Sequence, residues 1–143
     1  LLIGFIYIFQ PNHPCSTGFN PVMIDVVAAV VARRHSGRNV TTAVVDTLTF
    51  QAPAHPNDTI IIHGYITYVK RTSMEVCTKT YVENLNGTRK LINTAYLVMV
   101  ALDENENPTE VPKLILETDE EREEWKAAER RADLRRLRRE ECF

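Results

Sequence analysis

The sequence predicts an α+β domain in which a curled antiparallel sheet wraps around one buried helix, followed by a second, highly charged helix. Three observations predict it. From Pro21 to Ala32 every residue is apolar except Asp25. Four strand-like segments then follow one another through short links, and from Thr118 onwards the chain turns densely charged.

Taken in order, Leu1 to Phe9 is apolar but lacks the basic flank and small-residue cleavage site of a secretory leader, so it is expected to be a first strand. Asn20 and Pro21 suit the N-cap and first position of a helix. Arg33, Arg34 and His35 complement the negative C-terminal end of its dipole, and Gly37 can terminate it. The valines and isoleucine of this run also suit a buried strand, yet its length and caps favour a helix. Such a helix is apolar on all sides and falls short of the roughly 20 residues a membrane span needs, so it belongs in the core of a soluble domain.

Asn39 to Phe50 alternates, which places Val40, Val44, Leu48 and Phe50 on one face. Ala52 to Asp58 is a loop, because Pro53 and Pro56 cannot join a central strand. Strands from Thr59 to Val69 and from Met74 to Leu85 meet in a tight turn near Arg71 to Ser73. Asn86-Gly87, a strong hairpin signal, leads into Arg89 to Leu102. Links this short make the neighbours antiparallel. The C-terminal helix opens with a capping box, Thr118 and Glu121, carries an acidic first turn, and ends in Arg135, Arg136, Arg138 and Arg139. Asp119 with Arg122, Glu123 with Lys126 and Asp133 with Arg136 have helical spacing for ion pairs. Trp125, Ala128 and Ala132 give only a narrow apolar stripe, so the helix is expected to be mostly solvated. Residues 1–117 thus form the domain proper, and 118–143 a charged helix resting on it or on a neighbouring subunit.

A chain of 143 residues makes one domain with a real core, and a net charge of −2 gives no general attraction to nucleic acid or acidic membrane. Cys15, Cys77 and Cys142 are too few and scattered for a disulfide framework or metal site and suggest a reducing compartment. His35, His55 and His63 lack metal-ligand spacing, and Cys15 and His13 on a proline-bearing loop do not make a nucleophile pair. The arginine end of the last helix lacks the interleaved aromatics of a nucleic-acid surface. The residue that demands an explanation is Asp25, since a carboxylate in an apolar run costs several kcal/mol to desolvate unless it is paired, protonated or facing a cleft.

Several segments, in order and spacing, resemble the acyl-CoA hydrolases of the hot-dog thioesterase superfamily. They are Val22-Met-Ile-Asp-Val-Val-Ala-Ala29, Arg34-His-Ser-Gly37, Val40-Thr-Thr-Ala-Val-Val-Asp46, Phe50-Gln-Ala-Pro53, Arg71-Thr-Ser-Met-Glu-Val76, Val98-Met-Val-Ala-Leu-Asp103 and the tail from Pro112 to Arg131. The resemblance implies a hot-dog fold and hydrolysis of a fatty acyl-CoA thioester to free acid and coenzyme A in the cytoplasm. Coenzyme A enters as part of substrate and product, and neither metal nor separate cofactor is implied. Asp25 falls on the catalytic carboxylate, acting as general base or as nucleophile at a dimer interface. Gly18 matches a glycine whose amide would bind the oxyanion, although Thr17, Asn20 and Pro21 depart from the usual pattern there. Thr42 aligns with a threonine that could reach the partner's Asp25 to orient water. Arg71, Thr72 and Ser73 resemble the turn along the pantetheine and phosphates of coenzyme A, with Arg33 and Arg34 as weaker phosphate candidates. A homodimer is the implied minimum, and a hexamer built from three dimers the common assembly.

Two rivals stand beside this reading. A hot-dog acyl dehydratase would pair a histidine with the carboxylate, and none lies beside Asp25. A non-catalytic module that binds or senses acyl-CoA would suit the altered Thr17 to Pro21 entrance, although the chain has no DNA-reading helix pair for a transcriptional sensor.

Overall fold

The computed structural model describes residues 5–9, 21–52, 54 and 58–141. The elements run β1 (Phe5–Phe9), α1 (Pro21–Ser36), β2 (Asn39–Phe50), β3 (Thr59–Val69), β4 (Ser73–Glu83), β5 (Arg89–Leu102) and α2 (Asp119–Glu141). The five strands form one open, wholly antiparallel sheet in the order β1-β3-β4-β5-β2. α1 lies on the inner face, where Ile24, Val27, Ala28, Val31 and Ala32 pack on Ile60, Ile62, Ile66, Met74, Val76, Leu97 and Met99. This is the hot-dog arrangement that the resemblance implied.

Local signals act where the sequence puts them. Gly37 closes α1 with a φ of 67°, its amide donating to the Arg33 carbonyl at 2.8 Å. In the β4–β5 hairpin Gly87 has a φ of 85° and donates to the Asn84 carbonyl, while the Asn84 amide closes the loop on the Thr88 carbonyl. The turn therefore spans Leu85-Asn86-Gly87, a three-residue loop with glycine in the left-handed position. At the start of α2 the Glu121 amide donates to Thr118 Oγ1 at 3.2 Å and the Glu121 carboxylate receives the Thr118 and Glu117 amides.

One close approach sets the distance between helix and sheet. A methyl group at Gly64, in the middle of β3, would lie 3.0 Å from Val31 Cγ2 and 3.2 Å from Val27 Cγ1. The absent side chain lets α1 settle on the sheet. Gly64→Ala is expected to destabilise the fold by about 1–3 kcal/mol through overpacking, seen as a lower denaturant midpoint with an unchanged slope. A midpoint within error of wild type would show that α1 can shift without penalty.

β2 departs from the alternation expected of it. Its pairing with β5 slips between Thr42 and Val44 and again between Val45 and Thr47. Each slip inserts one unpaired residue and inverts the sidedness of the residues after it. Val40 thus packs on the core beneath α1, whereas Val44 lies with Val98 on the outer face, so the two do not share a face. The ion pairs of α2 also differ in part from those its spacing suggests. Arg122 meets Asp119 at 2.9 Å, but Arg136 approaches Glu140 at 3.8 Å rather than Asp133.

Candidate active site

Asp25 sits in the second turn of α1, half-buried between the fully buried Ile24 and the exposed Val26. Its Oδ1 accepts a hydrogen bond of 2.7 Å from Thr42 Oγ1, on the inner face of β2. Thr42 Oγ1 also lies 3.4 Å from the Met99 sulfur, its register partner on β5. A hydroxyl has one proton, and the carboxylate is by far the stronger acceptor. The sequence reading had Thr42 reaching across to a partner's aspartate. Within one chain the fold joins Thr42 to Asp25, because β2 follows α1 directly and lies along the sheet edge beside it. With Oδ1 held, Oδ2 has no hydrogen-bond partner among the described residues and is the oxygen free to accept a proton or attack a carbon. The first turn of α1 adds amides that have no partner within the helix, apart from Pro21, which has no amide proton.

The remaining candidates do not converge on this carboxylate. Gly18, with Thr17 and Asn20, lies outside the described residues, as do Cys15, His13 and His55. Thr72 and Ser73 line a cavity of about 470 Å³ on the outer face, together with Asp46, Val98 and Arg135. Arg71 opens instead into a groove beside Val111, Lys113 and Trp125. Arg33 and Arg34 line a third depression, at the C-terminal end of α1, with Arg38, Leu102 and Asp103. None of these three cavities includes Asp25. Among the described residues no group of histidine, cysteine and carboxylate side chains could hold a metal.

α2 is far less loosely attached than its charge density suggests. It crosses the outer face, where Glu75 of β4 is 1% exposed. That carboxylate receives Thr67 Oγ1 at 2.6 Å, a two-pronged contact from Arg131 at 2.7 and 3.1 Å, and Arg135 at 3.0 Å. Asp46, in the second irregular stretch of β2, binds Arg135 at 2.7 Å and Arg138 at 2.8 Å. Arg131 also lies 3.8 Å over the Tyr96 ring, Trp125 meets Tyr68 at 4.4 Å, and Tyr65 donates to Glu124 at 2.9 Å. Burial alone would push the Asp46 carboxyl up, but the hydrogen bonds and charges of Arg135 and Arg138 outweigh it and hold its pKa below the usual 3.8. Burial raises the Cys77 thiol, which leaves it a poor nucleophile. The sequence reading took Arg135 and Arg138 only as helix-end charge and did not single out Arg131, although the signal was present. Arg131, Arg135 and Arg138 recur at spacings of four and three on the face that also carries Ala128 and Ala132.

An open antiparallel sheet around a single helix, with a threonine-held carboxylate in that helix, defines a hot-dog protein. Residues 16–86 match the family model of the thioesterase superfamily. The chain is 40% identical over 99 residues, 68% of its length, to the Bacillus subtilis protein named uncharacterized acyl-CoA thioester hydrolase YkhA, of which it spans 58%. Protein VdlD of Helicobacter pylori is 33% identical over 132 residues, covering 85% of this chain and 75% of that one. Among solved structures, a hexameric acyl-CoA thioesterase superposes with a TM-score of 0.86 at 31% identity, over 94% of this chain and 92% of the other. An acyl-CoA hydrolase from Staphylococcus aureus, in complex with butyryl coenzyme A and coenzyme A, gives 0.86 at 28% identity over 96% and 89%. That hydrolase has also been solved with single alanine substitutions at an aspartate and at a threonine 17 positions further on. The chain belongs to the acyl-CoA thioester hydrolases of the thioesterase superfamily.

Proposed function

We propose that this protein hydrolyses the thioester of fatty acyl-CoA to free acid and coenzyme A, with Asp25 as general base or nucleophile. The observation that carries the reading is the 2.7 Å hydrogen bond from Thr42 to Asp25 in the otherwise apolar stretch from Pro21 to Ala32 of α1. A buried carboxylate kept for structure alone would have its acceptors filled. Here Thr42 fixes one oxygen, the other has no hydrogen-bond partner among the described residues, and the carboxylate stands in the second turn from the positive end of α1, where the oxyanion of an attacked thioester would be stabilised. The aspartate and threonine replaced in the Staphylococcus aureus hydrolase have the same separation of 17 residues as Asp25 and Thr42. Gly18 keeps its proposed role as the oxyanion amide, and Arg71 to Ser73, Arg33 and Arg34 theirs as contacts for coenzyme A.

A second copy of the chain completes the site. β2 is one of the two edge strands, and Val44, Val45 and Leu48 on it are exposed, as is Val26, next to Asp25 on α1. An edge strand this apolar invites another strand to pair with it, and burying Val26 would shield the carboxylate from bulk water. The hexameric relative supports an assembly in which such dimers recur.

The direct test follows thiol release from short to long acyl-CoAs. Turnover that requires Asp25 supports the reading; tight acyl-CoA binding without turnover would assign the fold to a binding or sensing module. Thr42 gives a finer test. Losing a hydrogen bond to a charged group costs about 1.5–3 kcal/mol, so Thr42→Ala is expected to lower kcat roughly 10- to 100-fold, with Thr42→Ser restoring most of it. An unchanged kcat would make the hydroxyl a bystander.

A further inference from the structure

β2 carries Thr42 to the carboxylate, and the apolar residues around Thr42 do little to fix where that strand sits along β5. The ladder is regular from Asn39 to Thr42, slips past Ala43, pairs again at Val44 and Val45, and slips past Asp46. Within the chain β2 is an edge strand, held on one side only. Among its described residues only Val40 packs on the core, and it is half-buried, while Thr41, Ala43, Val44 and Val45 are exposed. A strand with so little buried apolar face has a weakly specified register, and a shift of one residue turns every side chain to the opposite face. For Thr42 such a shift means the loss of Asp25.

Asp46 supplies what the apolar residues do not. It is the residue left over at the second slip, without a partner on β5, and a bulge of this kind re-aims its side chain. That side chain is 3% exposed and held at both oxygens: Arg138 donates to Oδ1 at 2.8 Å and Arg135 to Oδ2 at 2.7 Å. Arg135 at the same time donates to Glu75 of β4 at 3.0 Å, a carboxylate that Arg131, one turn earlier, grips with two bonds. The clamp on β2 is therefore anchored to the middle of the sheet, and only the paired Val44 and Val45 separate it from the slip beside Thr42. We propose that Asp46, clamped by Arg135 and Arg138, is a positioning residue for the hydrolysis: it fixes the register of β2 so that Thr42 meets Asp25. The proposal rests on the role given to Thr42 above.

The test is a cycle of wild type, Asp46→Asn, Thr42→Ala and the double variant, each followed by steady-state kinetics. Asp46→Asn keeps the shape of the side chain and removes its charge, and is expected to lower kcat about tenfold with KM within about twofold. In the Thr42→Ala background the same change is expected to lower kcat by less than about twofold, since the bond it serves is already gone. A merely structural Asp46 would reduce the folded enzyme in both backgrounds alike. Losses that multiply thus overturn the proposal, as does an unchanged kcat in Asp46→Asn. Arg138→Gln, at a side chain 60% exposed, removes one arm of the clamp and keeps the cycle readable if Asp46→Asn does not fold; the same pattern is expected at about threefold. A crystal structure of the folded variant gives a readout free of turnover. Thr42 Oγ1 should stand beyond about 3.5 Å from Asp25, outside hydrogen-bond range, and a bond kept at 2.7 Å overturns the proposal. Absence of thiol release in the wild type, with that bond lost in the variant, would sink the thioesterase reading and leave the control of Thr42 by Asp46 standing.

Discussion

Replacing Asp25 by asparagine is expected to lower thiol release from acyl-CoA by about 10²- to 10⁴-fold, the range associated with removing a general base. Asparagine preserves the shape of the side chain and can still accept the Thr42 hydrogen bond through its carbonyl oxygen. It can neither take a proton from water nor attack a thioester. The loss should therefore fall on kcat, with acyl-CoA binding retained. Steady-state kinetics with a thiol reagent, alongside a binding titration of the same variant, provide the check. Turnover within a few-fold of wild type would remove Asp25 from the chemistry. If the carboxylate attacks directly, a mixed anhydride on Asp25 should be trapped by hydroxylamine during turnover; a base acting on water leaves nothing to trap.

The second large effect concerns stability. Among the described residues Arg135 is the one side chain that bridges both buried carboxylates, reaching Asp46 at 2.7 Å and Glu75 at 3.0 Å. Those carboxylates are 3% and 1% exposed, so neither can recover its lost bond from water. Arg135→Met is expected to cost about 3–5 kcal/mol at neutral pH, the usual result of breaking a buried pair from one side. For a chain of this size that lowers the melting temperature by roughly 10 °C. The dependence on pH has a definite sign. Asp46 has a folded pKa below 3.8, so its contribution is complete well above that value and is lost as the pH falls through the folded pKa. Wild type and variant should thus converge towards acid. Melting curves from pH 7 down to about pH 3 test this, and a constant difference across that window would show that the Arg135 contribution is packing, not charge.

Much of the architecture was legible because its signals are local. The caps Gly37 and Thr118 with Glu121, the turn at Asn86-Gly87 and the tight link at Arg71 to Ser73 each act within a few residues, and each operates in the structure where it was expected. Asp25 stood out for the same reason, since one carboxylate among apolar neighbours is visible without any fold. The strand alternation of β2 misled, because its irregularities arise from pairing with β5 and not from its own residues. α2 misled for a similar reason. Its arginines read as helix-end charge complementing the dipole, whereas their carboxylates lie on β4 and β2, 56 and 89 residues away in the chain.

By itself the sequence determined the type and order of the elements, the burial of α1 and the isolation of Asp25. Periodicity, capping and turn chemistry are properties of short stretches, and their energies need no distant partner. Only the tertiary structure decided that Thr42 holds Asp25 of its own chain, that Gly64 admits α1 to the sheet, and that Arg131 and Arg135 converge on Glu75. Each of these depends on distance in space between residues far apart in the chain. A hydrogen bond or buried ion pair gains its strength within about 3 Å and in the absence of water, and only the assembled sheet and helices supply both conditions.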